Sequence, residues 1–368
     1  MELVLTLKHN NKSFNHPKVL RKTKFLIIGQ GLAGTLLATE LWKQNADFLV
    51  LDNPSPEAAS QVAGGAFIPI VFRTLKKAEM IDDYLPALKN TYGFFENLTG
   101  SRFFHLVPSL KLFPKDDIPK WQQAKDSAAG TFITDLKESL NLPGIKPEFG
   151  GAVIEPSGWV DIKMLTALMG EWFLENNLLI QEKLDYSMIE FEKDGVVINS
   201  SIRAEKIIFC EGASAIKNPW FKNAGFSLNK GEIIDIEASG ISDEYILRSE
   251  VFVLPLGKKT FRVGATYDRN NIDNNPSPAG KQQLLQKLQY FLDTPVSVRS
   301  HWAGIRPSVK DRKPLLGAHP EMLRLNIFNG LGSKGVLFAP YWAAKMAAFL
   351  LHGEALPDMV NVNRYFKS

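Results

Sequence analysis

Residues 24–29, KFLIIG, form an unbroken apolar run, the pattern of a strand buried on both faces. In the stretch that follows, Ala33, Leu36, Leu37 and Leu41 recur at helical spacing, which predicts a helix over roughly 32–45. DFLVLD, 47–52, reads as a second buried strand, so the chain opens with a β-α-β unit whose crossover should be right-handed. Further along, 75–98 has a helical pattern, and 103–113 contains strand-like pieces broken by Pro108 and Pro114. DIKMLTALMGEWFLEN, 161–176, predicts a helix with Asp161 near its start, followed by a strand in LLIQEKL.

EKIIFCEGA, 205–213, repeats the motif of an apolar strand running into a small-residue turn. From 228 to 268 apolar and polar positions alternate, with Gly257 between VFVLPL and TFRVGATY, the signature of a hairpin in an antiparallel sheet. A helix near 279–292, strands near 296–305 and 323–328, and a last helix reaching about Leu351 and stopped by Gly353 complete the pattern.

Nucleotide-type units thus occur at both ends and near residue 205, with antiparallel material between them. At 368 residues the chain is also longer than one core usually supports. Both facts predict two interleaved domains, an α/β half and an α+β half. The expected division is a nucleotide-binding domain from 23–85, 146–222 and 305–368, a second domain from 86–145 and 223–304, and an N-terminal extension over 1–22.

Composition changes this picture little. The net charge of +4 is concentrated in residues 1–24, which carry a local +5 and leave the remainder near −1, so the body is not a basic, nucleic-acid-type surface. Apolar runs stay short of the roughly 18 residues of a membrane span, and the order of apolar and basic residues at the start reverses that of a secretory signal. The single cysteine, Cys210, excludes an internal disulfide and suggests a reducing cytoplasm. His301 and His319 lack metal-ligand spacing, and no metal is assigned.

The chemistry begins at GQGLAG. Gly29 permits a tight turn, Gly31 admits a pyrophosphate to the backbone, and Gly34 allows helix and strand to pack closely. Leu32 and Ala33 open a helix whose free N–H groups suit phosphate, and Asp52, at the end of the second strand, suits ribose hydroxyls. This fingerprint leaves NAD and FAD open.

Two further segments bear on that choice. PEAASQVAGGAFIPI, with Ser60, Gly64 and Gly65, is too apolar for a surface loop and suits a backbone packed on a flat ring system. NIFNGLGSKG leads by Gly330, Gly332, Ser333, Lys334 and Gly335 into the last helix, whose N-terminus suits the anionic edge of a reduced flavin. An NAD enzyme would leave this second turn without a role. Arg306, in HWAGIRPSVKDRKPLLG, is a permanent cation in an apolar run, and its partner is either internal or a substrate.

KFLIIGQGLAG, AASQVAGGAFIP, SGWVDI, IIFCEGA, VGATYD, WAGIRPSVKDRKPLLG and FNGLGSKGVLFAP, in this order, resemble the D-amino-acid oxidase-like FAD-dependent oxidoreductases. Glycine oxidase and the FAD-containing domain of the bifunctional enzyme that makes methylaminomethyl-thiouridine in tRNA are similar. The resemblance runs from about Lys24 to Leu351. It implies a Rossmann-like FAD domain with a mixed sheet beside an antiparallel substrate sheet, with Gly212 among the cofactor contacts.

The resemblance further implies hydride transfer from the carbon beside an amine, hydrolysis of the resulting imine, and reoxidation by oxygen or another acceptor. It matches Arg306 to the residue that grips a substrate carboxylate. The competing role is an internal ion pair with Asp311, Glu250 or Asp268. Lys334, Tyr245 and Tyr267 are further site candidates, with solvated or structural roles as their alternatives. Some relatives hold FAD through a cysteine near the GIRP segment; none stands there in this chain, which implies dissociable FAD. The expected partner is a small carboxylated amine. The alternatives are a carboxymethylaminomethyl group on tRNA uridine, or a flavoprotein without turnover.

Overall fold

The computed structural model describes residues 20–366, so all but the last three residues of the expected N-terminal extension lie outside the described residues. The first strand, Arg21–Ile28, alternates its side chains between two cores: Phe25 and Ile27 face one, Leu26 and Ile28 the other. That explains the unbroken apolar run, because neither face of the strand meets water. It pairs in parallel with Phe48–Asp52 on one side and Ile202–Phe209 on the other, and Leu179–Gln181 extends the sheet beyond Phe48–Asp52.

The far edge of Ile202–Phe209 is shared. Its N-terminal half takes Gly195–Ile198 antiparallel, and its C-terminal half takes Leu325–Asn329 in parallel. The sheet is therefore mixed. The helices Leu32–Lys43, Ile81–Thr99, Ile162–Glu175 and Gly335–His352 contribute to one large core, which includes Leu37, Leu88, Leu165 and Trp342. Asp161 caps Ile162–Glu175 by accepting the Met164 N–H at 2.9 Å, and Gly353, at φ +71°, ends the last helix.

The second sheet has eight strands. Their spatial order is Ser297–Arg306, Asn229–Glu237, Thr260–Gly264, Phe252–Gly257, Ile246–Arg248, Ser109–Pro114, Phe149–Ile154 and Ile133–Lys137. All neighbours are antiparallel except Ile246–Arg248 with Ser109–Pro114. The expected hairpin forms, turned at Lys258 and Lys259, which both hold positive φ. One face packs on Leu284, Leu288 and Phe291 of the helix Pro278–Phe291; the other faces the nucleotide half.

Three sequence expectations need correction. The helical pattern at 75–98 becomes a helix only from Ile81, because Lys76–Lys77 pair as a strand with Ile70–Val71. Phe149–Ile154, expected in the nucleotide half, pairs in the second sheet. Its alternation is hidden by Gly150 and Gly151, and a methyl at Gly151 would stand 2.8 Å from a Leu110 methyl. The strands Ile189–Glu192, Gly195–Ile198 and Leu315–Ala318 were not anticipated. Among the described residues no helix is long and apolar enough to cross a membrane.

Candidate active site

At the end of Arg21–Ile28 the chain turns through Gly29, at φ +101°. A methyl at Gly34 would stand 1.8 Å from the Gly29 carbonyl oxygen, so the helix crosses its own lead-in at a distance only glycine permits. The helix N-cap is Gly31, and no side chain caps it. Its first-turn donors are left to water or a ligand, apart from the Leu32 N–H, which donates to Ser60 Oγ at 3.0 Å.

Asp52 accepts the Gln30 N–H at 3.1 Å, which fixes the carboxylate beside the turn. Burial pushes its pKa up, while the N–H groups of Gln30 and Asn53 act the other way. A cradle lined by backbone, an open helix N-terminus and one acid beside it fit the diphosphate and ribose of a dinucleotide.

The other predicted segments converge on the same place. Gly335 packs next to Leu32, so the last helix begins beside the first. Gly330 and Gly332 hold positive φ, and the Gly332 N–H donates to Pro307 O at 3.3 Å, which ties this turn to Arg306. Gly212 O accepts from Asn329 Nδ2 at 3.0 Å. Gly64 lies under Phe252, and Val62 packs on Gly304, so the Ser60–Gly65 segment touches the second sheet. Ser333 and Lys334 are exposed at the mouth of the turn. The Lys334 pKa is lowered by partial desolvation and by the neighbouring cations Arg312 and Lys313.

Arg306 ends its strand on this face of the second sheet. Nη1 donates to Asn229 Oδ1 at 2.8 Å, and Nη1 and Nη2 both lie 3.3 Å from Thr266 O. These partners are neutral. Asp311 pairs instead with Arg364, Asp268 accepts from Asn270 and Asn271, and among the described residues no carboxylate lies within 4.0 Å of Arg306. Burial lowers the pKa of the guanidinium, the signature of a cation lacking an anion.

Tyr267 lies close enough to act electrostatically on Arg306, although its hydroxyl accepts from Arg269. Tyr245 packs instead with the core on the opposite face of the sheet. Cys210 is buried at the end of Ile202–Phe209, and burial pushes its thiol pKa well up, which leaves it unreactive. Among the described residues no cluster of His, Cys, Asp and Glu is arranged to hold a metal.

The supports of Arg306 were not foreseen. Asn229 is 1% exposed, and a methyl at Gly231 would stand 2.0 Å from Arg306 Nη2. The sequence signal was a glycine in an alternating strand, LNKGEIIDIE, which marks a close approach. Gly231→Ala should therefore displace the guanidinium and leave the dinucleotide cradle alone. The expected result is a rise of about tenfold or more in the amine concentration for half-maximal flavin reduction, at unchanged flavin content, from loss of about one charged hydrogen bond.

A family model described as FAD dependent oxidoreductase matches residues 24–350. The glycine oxidase of Bacillus subtilis (strain 168) is 24% identical over 363 residues, 94% of this chain and 97% of that protein. The tRNA 5-methylaminomethyl-2-thiouridine biosynthesis bifunctional protein of Legionella pneumophila (strain Lens) is 23% identical over 92% of this chain, which spans 52% of that protein. Among solved structures, iminodiacetate oxidase from Chelativorans sp. BNC1 superposes with a TM-score of 0.73 at 19% identity, covering 93% of this chain and 98% of that one.

Proposed function

This chain belongs to the FAD-dependent oxidoreductase family, and we propose that its reaction is oxidation of the C–N bond of a small carboxylated amine, an amino acid or an N-alkyl glycine. The observation that carries this reading is Arg306, a half-buried guanidinium with only neutral partners on the sheet face that meets the flavin-type glycine segments. Glycine oxidase and iminodiacetate oxidase, named for carboxylated amines, support it.

FAD supplies the hydride acceptor. The chain's own residues bind and orient. Arg306 offers a planar fork to the substrate carboxylate, which turns the amine-bearing carbon toward the ring. Phe252, Ile233 and the glycine backbone around it keep that space apolar, which favours a neutral amine. Positioning of this kind asks for no strong base. Oxygen is the proposed reoxidant, and FAD is held without a covalent bond, in keeping with the buried Cys210.

The test is anaerobic. Glycine, sarcosine, iminodiacetate and D-amino acids are each mixed with the yellow holoprotein, and one or more should bleach the flavin absorbance. A second reading, oxidation of a carboxymethylaminomethyl group on tRNA uridine, is favoured by the Legionella relative and by the grouping of Lys334 with Arg312 and Lys313. Bleaching by modified tRNA alone, with binding that weakens steeply in salt, would replace the first reading by the second.

A further inference from the structure

The substrate sheet carries a second pair of cations that the amine reading does not use. Its register puts Gly264, Phe252, Arg248 and Lys111 side by side in one row across four strands, on the face turned to the nucleotide half. Arg248 Nε donates to Ser109 Oγ at 3.1 Å, and its buried Nη2 has no partner. Lys111 Nζ donates to Ser249 O at 3.0 Å and lies 5.4 Å from the centre of the Phe72 ring.

Burial, reinforced by Arg248, pushes the Lys111 pKa down to about 8; burial alone lowers that of Arg248 to about 10. Glu250 and Asp117 act on Lys111 from a distance. Among the described residues, no carboxylate lies within 4.0 Å of either cation. Two adjacent half-buried cations without an anion repel each other and are poorly solvated, a combination that a bound anion relieves.

We propose that Arg248 and Lys111 form a second oxyanion site, which takes a carboxylate or phosphate group and is separate from Arg306. The Arg306 guanidinium lies over Thr266, and Arg248 lies two strands away and two residues along the sheet. Strand geometry makes that offset on the order of 12 Å. A glycine-sized substrate cannot span it. The oxyanion is therefore either the far end of a longer amine, a source that rests on the amine reading above, or a free anion, which does not.

The experiment measures inorganic phosphate binding to the holoprotein by calorimetry and thermal shift, at constant ionic strength in chloride. Wild type should bind phosphate, Arg248→Met and Lys111→Met should each bind it at least tenfold more weakly with flavin content unchanged, and Arg306→Met should match wild type. In parallel, KM is compared for sarcosine and for N-(ω-carboxyalkyl)glycines of increasing length.

A KM that falls at lengths able to span the two sites, and loses that gain in Arg248→Met while sarcosine turnover is unaffected, assigns the oxyanion to the substrate. Phosphate binding without a length effect assigns it to a free anion. Failure of both phosphate and long diacids to distinguish Arg248→Met from wild type overturns the site. If no amine reduces the flavin, the phosphate measurement still decides, so failure of the site is separable from failure of the amine reading.

Discussion

Arg306→Met should raise the amine concentration needed to reduce the flavin by about 10²–10⁴-fold while the purified protein stays yellow, because a charge-assisted hydrogen bond contributes about 1.5–3 kcal/mol and a bidentate pair makes two. Stopped-flow reduction under anaerobic conditions separates the two readouts: the apparent dissociation constant carries most of the loss, and the limiting rate carries less.

The fold should survive. Asn229 keeps its 2.8 Å bond to Ser308 Oγ, and removing a half-buried cation that has no carboxylate partner also removes its desolvation cost. Arg306→Lys keeps the charge and loses the fork, so it should recover only part of the affinity. Unchanged kinetics in Arg306→Met would take this residue out of the site. Loss of flavin would show that its role is to hold the sheet against the cofactor half.

The geometry around Arg306 separates what was legible in the sequence from what was not. Local signals carried the β-α-β unit, since a turn such as GQGLAG works through its own backbone and through Asp52, one strand away. The convergence of Gly335 on Leu32 depends on a contact across about 300 residues, and that of Gly332 on Pro307 on a contact between two separate strand ends. Only the order of the segments and the family resemblance suggested it.

Arg306 itself stood out as a cation in an apolar run. Its freedom from carboxylates could not be read, because Asp311 lies close in sequence and Asp268 within reach in space, and both find other partners only in three dimensions. Tyr245 shows the reverse failure. A strand alternates its faces, and whether position 245 looks toward the nucleotide half or away depends on a register that no local pattern fixes.

The same limit hid Arg248 and Lys111. They lie 137 residues apart, and the parallel pairing of Ile246–Arg248 with Ser109–Pro114 is what makes them neighbours. Charged residues in strands usually face water, so neither attracts notice alone. Their juxtaposition on the face that also carries Phe252 gives the sheet two cationic sites with an apolar floor between them.

Gly34→Ala should yield a colourless protein with a melting temperature lower by several degrees. The added methyl would stand 1.8 Å from the Gly29 carbonyl oxygen and 3.0 Å from its carbon, both backbone atoms that no rotamer change can move aside. The helix cannot retreat either, since Leu32, Ala33, Thr35, Leu36, Leu37 and Ala38 are all buried around it. Relief must come from the Gly29–Gly31 turn, and opening that turn moves the uncapped first-turn N–H groups off the diphosphate they would hold.

Overpacking of this kind costs about 1–3 kcal/mol, and lost cofactor binding removes the stabilisation that ligand supplies by mass action. Gly93→Ala is the control. It sits inside Ile81–Thr99 with no heavy atom beyond the adjoining backbone of its own helix within 4 Å of the new methyl, so it should keep its FAD and gain up to about 1 kcal/mol from better helix propensity. Flavin absorbance and a melting curve on both variants decide the matter. If Gly34→Ala remains yellow with an unchanged melting temperature, the close crossing of helix and turn is not what holds the cofactor.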